Sequence, residues 1–220
     1  MRFKKLVQSN ITFAGLLVLL LAVNFYLIDQ TKTGSPASQR STANNSKKSP
    51  SFALQAVDGK VTESSIQGYW TLFYFGYTFC PDVCPTSLSY WSATLNSLTA
   101  EELNKLKFYF VSVDPDRDSL KRVVSYTKHF HPHMNALWTT KDDIKSIADQ
   151  FDVYFSFYKD PTKDYYTVDH SAYTILLNPS GEIVFKFEHG TAPSEATDTL
   201  RSLMNGTLKS PIQTNKKEIL

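Results

Sequence analysis

The central region of this 220-residue chain is predicted to be an α/β domain, and three observations carry that prediction. Residues 69–77 and 106–114 are near-continuous apolar and aromatic runs, the mark of strands buried on both faces. Between them, after Pro85, residues Leu88, Trp91, Leu95 and Leu98 recur at helical spacing. Late in the chain, residues 172–190 read as two strands around the turn signal Asn178-Pro179-Ser180-Gly181.

Taken in order, residues 52–66 read as a hairpin turning at Asp58-Gly59. The first buried strand, a helix and the second buried strand follow. Residues 117–130 are helical, with Leu120, Val123, Val124, Tyr126 and Thr127 near one side. Residues 141–151 form a short helix, and the 172–190 strand pair comes next. A helix over 193–204 closes the domain, opened by Pro193 and Ser194. A βαβ unit followed by an antiparallel pair and a final helix is the thioredoxin-like arrangement. A flavodoxin-like chain would instead continue with further βα units.

The flanks differ from this domain. Arg2, Lys4 and Lys5 precede an uncharged apolar run at residues 11–28. As a helix, that run spans roughly 27 Å, close to the ~30 Å hydrocarbon core of a bilayer. No small-x-small cleavage site ends it and no cysteine follows it, so an uncleaved anchor is expected, not a signal peptide or a lipoprotein. The positive-inside bias puts the rest of the chain on the far side. The expected organisation is an anchor at 1–29, a flexible polar stalk at 30–49, one domain at 50–205 and a flexible tail at 206–220. A short anchor without an Arg-rich leader points to a bacterial cytoplasmic membrane, crossed once, with the domain outside the cytoplasm. A mitochondrial inner membrane is the alternative.

Residues 51–205 carry 13 Lys and Arg against 19 Asp and Glu, a net charge of −6. Such a surface repels phosphate backbones, and nucleic acid is not an expected partner.

The chain has two cysteines, Cys80 and Cys84, in "FCPDVCP" between the first buried strand and its helix. A helix N-terminus there favours thiolate, and a helical turn over 80–84 puts both sulfurs on one face. Three readings are open. A structural disulfide would close so short a loop that it stabilises little. A dithiol redox pair is the second. A soft-metal site is the third, and it needs another ligand.

Five histidines are available. His170 immediately precedes the strand predicted at 172–177, and the topology sends that loop to the cysteine helix. His129, His131 and His133, beside Met134, form a His-x-His-x-His run that could hold a further metal ion or be an exposed loop after a helix. His189 has no evident partner.

The segments "GYTFCPDVCP" (76–85), "VDPDRD" (113–118) and "VDHSAYTILLNPSG" (168–181) together resemble the Sco/SenC family. The resemblance covers about 50–205. It implies a membrane-anchored, thioredoxin-like copper chaperone for cytochrome c oxidase assembly, not an enzyme. It implies Cys80, Cys84 and His170 as ligands of one copper ion, Cu(I) or Cu(II), and the copper-bearing subunit of the oxidase as client. Asp169 is a candidate second-shell acceptor for His170, and Asp82 is a candidate for tuning or docking. Asp114, Asp116, Arg117 and Asp118 read as a turn and helix cap. Thioredoxins have C-x-x-C and a cis-proline where this chain has His170-Ser171-Ala172, and the peroxiredoxin T-x-x-C pattern is absent. A thiol-disulfide oxidoreductase acting on client cysteines is the alternative.

Overall fold

The computed structural model describes residues 49–162 and 164–208. The expected anchor at 1–29, nearly all of the stalk at 30–49 and the tail beyond residue 208 lie outside the described residues. Among the described residues, no helix is long and apolar enough to cross a membrane.

A hairpin of β1 (Ala53–Ala56) and β2 (Gly59–Thr62) opens the domain, followed by a 3-10 turn at Glu63–Ile66. Val57 and Asp58 form its tip, and Gly59 takes φ +118, a conformation that disfavours a side chain. The chain continues through β3 (Trp70–Gly76), α1 (Val83–Asn96), α2 (Ala100–Asn104) and β4 (Leu106–Ser112). Then come α3 (Leu120–Phe130), β5 (Met134–Leu137) and α4 (Lys141–Gln150). Strands β6 (Phe155–Lys159), β7 (Tyr166–His170), β8 (Thr174–Leu177) and β9 (Ile183–Phe187) precede α5 (Pro193–Met204).

The main sheet has the order β5-β4-β3-β8-β9. Strands β3, β4 and β5 are mutually parallel, and β8 and β9 are antiparallel to their neighbours. This is the thioredoxin-like arrangement expected from the sequence. Both faces of the sheet are covered, which is why β3 carries no polar alternation. Phe73 and Phe75 meet Phe151 on one face, where Phe52 joins them. On the other, Phe108 meets Trp91 of α1 and Phe110 meets Tyr126 of α3.

Strands β5, β6 and β7, the short helix α2 and the 3-10 turn at Glu63–Ile66 were not anticipated. Residues 134–137 pair with β4 as a parallel edge strand, so Met134 is buried instead of lying in an exposed loop. Strands β6 and β7 form a separate antiparallel ribbon. His170, expected in a loop, is the last residue of β7. The closing helix has Ala192 as its N-cap with Pro193 in the first turn, so Ser194 does not cap it.

Candidate metal centre

The site forms where β3 ends and α1 begins, at the carboxyl edge of the parallel strands, where α/β sheets bind ligands. Cys84 is the second residue of α1 and is fully buried, while Cys80 lies in the preceding loop and is partly exposed. The Cys84 backbone N–H donates to Cys80 Sγ at 3.4 Å. From the other side, His170 brings Nε2 to 3.3 Å from Cys84 Sγ. The ligand atoms of Cys80, Cys84 and His170 all lie within 4.8 Å of one another. Among the described residues this is the one group of three or more such side chains that could hold an ion.

The histidine tautomer follows from its other nitrogen. Nδ1 lies 2.9 Å from the Ser171 carbonyl, which can only accept, so Nδ1 carries the hydrogen. Nε2 therefore turns a lone pair toward the sulfurs, the form a metal ligand needs. The candidate acceptor Asp169 does not fill this role; a backbone carbonyl does, and β alternation points Asp169 outward, where it is exposed. The rings of Tyr77 and Tyr74 meet the imidazole edge-on, with centroids 5.8 Å and 6.3 Å away. Tyr77 Oη also accepts from the Val168 N–H.

The two thiols are electrostatically unequal. Cys80 is held well below the ordinary thiol range by the hydrogen bond with the Cys84 side chain, aided by the N–H groups of Cys84 and Asp82. Burial pushes the Cys84 thiol up, and the neighbouring Cys80 pushes it further. In the reduced, metal-free protein, Cys80 is thus the thiolate and Cys84 the thiol. A lowered pKa means the proton is gone at lower pH. Alkylation of Cys80 by iodoacetamide should therefore stay flat from pH 8 to pH 6. An ordinary thiol would slow about tenfold per unit over that range. Peptide mapping after the reaction should find Cys84 unmodified until the protein is unfolded.

Asp82 makes no cap to the helix N–H groups; its Oδ1 accepts from Thr86 Oγ1 and the residue is exposed. The acidic run after β4 does more than turn the chain. Ser119, not Asp118, caps α3. Asp118 is fully buried and braces the cysteine loop, accepting from the Thr78 N–H at 2.9 Å, from Thr78 Oγ1 and from Ser112 Oγ at 2.7 Å. Those three donors are what make a buried carboxylate tolerable.

Asp114 and Arg117 dock the ribbon that carries His170. Arg117 pairs with Asp114 at 2.5 Å, donates to the Tyr166 carbonyl at 2.8 Å and stacks over the Tyr166 ring at 3.6 Å. Tyr166 Oη donates to Asp114 Oδ1 at 2.7 Å. Burial and the adjacent Asp114 raise this hydroxyl to about 12, so it keeps its donor hydrogen at any working pH. Tyr166→Phe should cost about 1 kcal/mol and speed amide hydrogen exchange in β7 before any other strand.

None of this bracing was read from the sequence. The available signal was period-two alternation: Phe155 and Phe157 around Ser156, and Tyr166 and Val168 around Thr167.

The remaining histidines have other duties. His133 Nε2 binds the Leu106 carbonyl at 2.7 Å, and His131 Nδ1 accepts from the His133 N–H. His129 packs edge-on against Phe130. The His131 and His133 rings meet edge to face with centroids 6.5 Å apart, and among the described residues the three histidines do not form a metal-holding group. His189 Nδ1 meets Ser87 Oγ at 2.8 Å.

Comparison with known proteins agrees with the geometry. A copper-bound crystal structure of ScoI from Arabidopsis thaliana superposes with TM-score 0.63 at 32% identity, covering 72% of this chain and 99% of that one. The mitochondrial SCO1 homolog 1 of the same plant is 38% identical over 134 residues, 60% of this chain and 40% of its own. An SCO2-like protein of Rickettsia conorii is 33% identical over 153 residues, 69% of this chain and 74% of its own. The SCO1/SenC family model matches residues 40–205, and with that span the chain belongs to the SCO1/SenC family.

Proposed function

We propose that this chain binds one copper ion through Cys80, Cys84 and His170 and delivers it to the copper site of cytochrome c oxidase. The convergence of the three ligand atoms within 4.8 Å carries this reading. Two soft sulfurs and one imidazole nitrogen suit Cu(I), and the same set admits Cu(II). The family relationship and the copper held by the plant ScoI structure support the choice of metal.

Copper is cargo here, so the residues must release it as well as hold it. Cys80 is the exposed, ionised sulfur and opens onto a cleft of about 240 Å³ between the cysteine loop and β7. A client thiol or imidazole enters there and displaces Cys80 first. His170 follows, because its ribbon lies outside the main sheet and meets the body through Phe155, Val168 and a few polar contacts. Cys84, buried at the head of α1, lets go last.

The membrane tether belongs to the same proposal. Its support is the apolar run at 11–28 with Arg2, Lys4 and Lys5 before it, and the polar composition of 30–49. Residues 1–29 act as anchor, 50–205 as copper domain and 206–220 as a tail, with the domain on the outer face of a bacterial cytoplasmic membrane. A second reading, reduction of client disulfides, is favoured by one observation, the ionised Cys80 beside a protonated Cys84.

A transfer assay tests the proposal. The full chain, loaded with one equivalent of copper, is mixed with the metal-free copper domain of an oxidase subunit, and the two are separated. Copper should move to the client, and Cys80→Ser should abolish the movement. Copper that stays on the chain, or a client that is only reduced, would overturn it.

A further inference from the structure

Between Thr78 of the cysteine loop and α3 lies a recess of about 640 Å³. Thr78, Lys121, Arg122, Ser125, Tyr126 and His129 line it, with Ser119 at its edge. No carboxylate is among the lining residues. Lys121 and Arg122 are exposed, and neither has an acidic partner among the ion pairs of the described residues. Asp118, the nearest acid in sequence, turns its oxygens to Thr78 and Ser112. In a domain of net charge −6, a recess whose only formal charges are the positive ones of Lys121 and Arg122 is a local exception that needs a reason.

Its position supplies one. Thr78 belongs to both the recess and the cysteine loop. Phe79, directly before Cys80, is 47% exposed, and the Arg122 guanidinium covers its ring at 4.8 Å. The Tyr126 ring packs on Phe110 at 5.6 Å, and Phe110 in turn borders the space beside Gly76 that Cys84 Sγ fills. The recess is thus a cationic bay that shares Thr78 with the cysteine loop and borders Phe79 through Arg122.

We propose that this bay is the docking site for an acidic segment of the protein with which the chain exchanges copper. Carboxylates of the segment seat on Lys121, Arg122 and His129, and an apolar side chain covers Phe79. That placement brings the partner's own ligands over Cys80, the exposed sulfur. Charge complementarity favours the acidic occupant, and the exposed Phe79 ring favours a protein segment over a free anion. The inference rests on the copper-exchange reading given above.

The test uses the full chain and a fluorescein-labelled peptide of two glutamates, a phenylalanine and two aspartates, followed by fluorescence anisotropy. Binding should be saturable and weaken as sodium chloride rises. It should fall at least tenfold in Lys121→Glu/Arg122→Glu, with Lys121→Gln/Arg122→Gln in between. Lys145→Glu, in α4 on the opposite face of the main sheet, should leave it unchanged. Copper titration of each variant runs in parallel. A charge-reversed protein that keeps its copper and loses the peptide supports docking at the bay. Equal peptide binding by wild type and charge-reversed protein would overturn the inference. So would equal binding of a peptide with glutamine and asparagine in place of the acids, or displacement by inorganic phosphate or phosphatidylglycerol vesicles at lower concentrations than the peptide itself. If wild type binds the peptide but takes up no copper, the bay stands and the copper reading falls.

Discussion

Copper affinity should drop by about a hundredfold or more in His170→Ala, a loss of ~2.8 kcal/mol, while the fold survives. The ring sits at the end of β7 with Nδ1 on the Ser171 carbonyl and Nε2 at the sulfurs, so its removal deletes one of the three proposed donors. It leaves a vacancy at a half-buried edge and not in the core, so the cost in stability is small. Competition titration with a Cu(I) chelator, beside a thermal melt, separates the two quantities. A disulfide reductase would be indifferent to this substitution, because both thiols remain. Unchanged copper affinity in the variant would remove the imidazole from the site.

Gly76→Ala should damage both fold and site. The last residue of β3 has no room for a methyl group. A Cβ there would lie 2.7 Å from Cys84 Sγ and 3.0 Å from both Phe110 Cε2 and Tyr74 Cε1. All three neighbours are buried, two of them rings fixed in the core, so the sulfur must move. Overpacking of this kind costs about 1–3 kcal/mol. For a domain of this size, that lowers the melting temperature by roughly 2–4 °C per kcal/mol. Copper affinity should fall with it, because the displaced atom is a proposed ligand. An unchanged melting temperature together with unchanged copper binding would show that the backbone yields there at no cost.

The parts of the domain that could be read from sequence are those where local pattern and global fold agree. The apolar runs that became β3 and β4, the helix after Pro85 and the turn at Asn178–Gly181 all announce themselves within a dozen residues. The pairing of Cys80 with Cys84 is likewise local. His170 was assigned by topology: β8 lies beside β3, so whatever precedes β8 arrives near the cysteines. That placement held, although the residue ends a strand of its own.

What stayed hidden is long-range and polar. Nothing near Asp118 in the sequence says that it will bind Thr78, 40 residues earlier. The same holds for Tyr166 and Asp114, 52 residues apart. An acidic residue before a helix reads as a cap by propensity, and here Ser119 takes that role and frees Asp118 for the cysteine loop. The β6–β7 ribbon was missed because each of its strands buries a single residue, Phe155 in β6 and Val168 in β7, too few for a strong periodic signal. The histidine run at 129–133 stayed open between a site and a loop because sequence spacing carries no direction. Folding sends His133 to a carbonyl of Leu106 and leaves His129 at the end of α3.

The central claim is that two sulfurs and one imidazole hold the same copper ion. X-ray absorption spectroscopy of the full chain loaded with one equivalent of Cu(I) tests it most directly. The account predicts a first shell of two sulfur scatterers and one nitrogen, with imidazole multiple scattering that disappears in His170→Ala. A shell without sulfur, or imidazole scattering that persists in that variant, would contradict it.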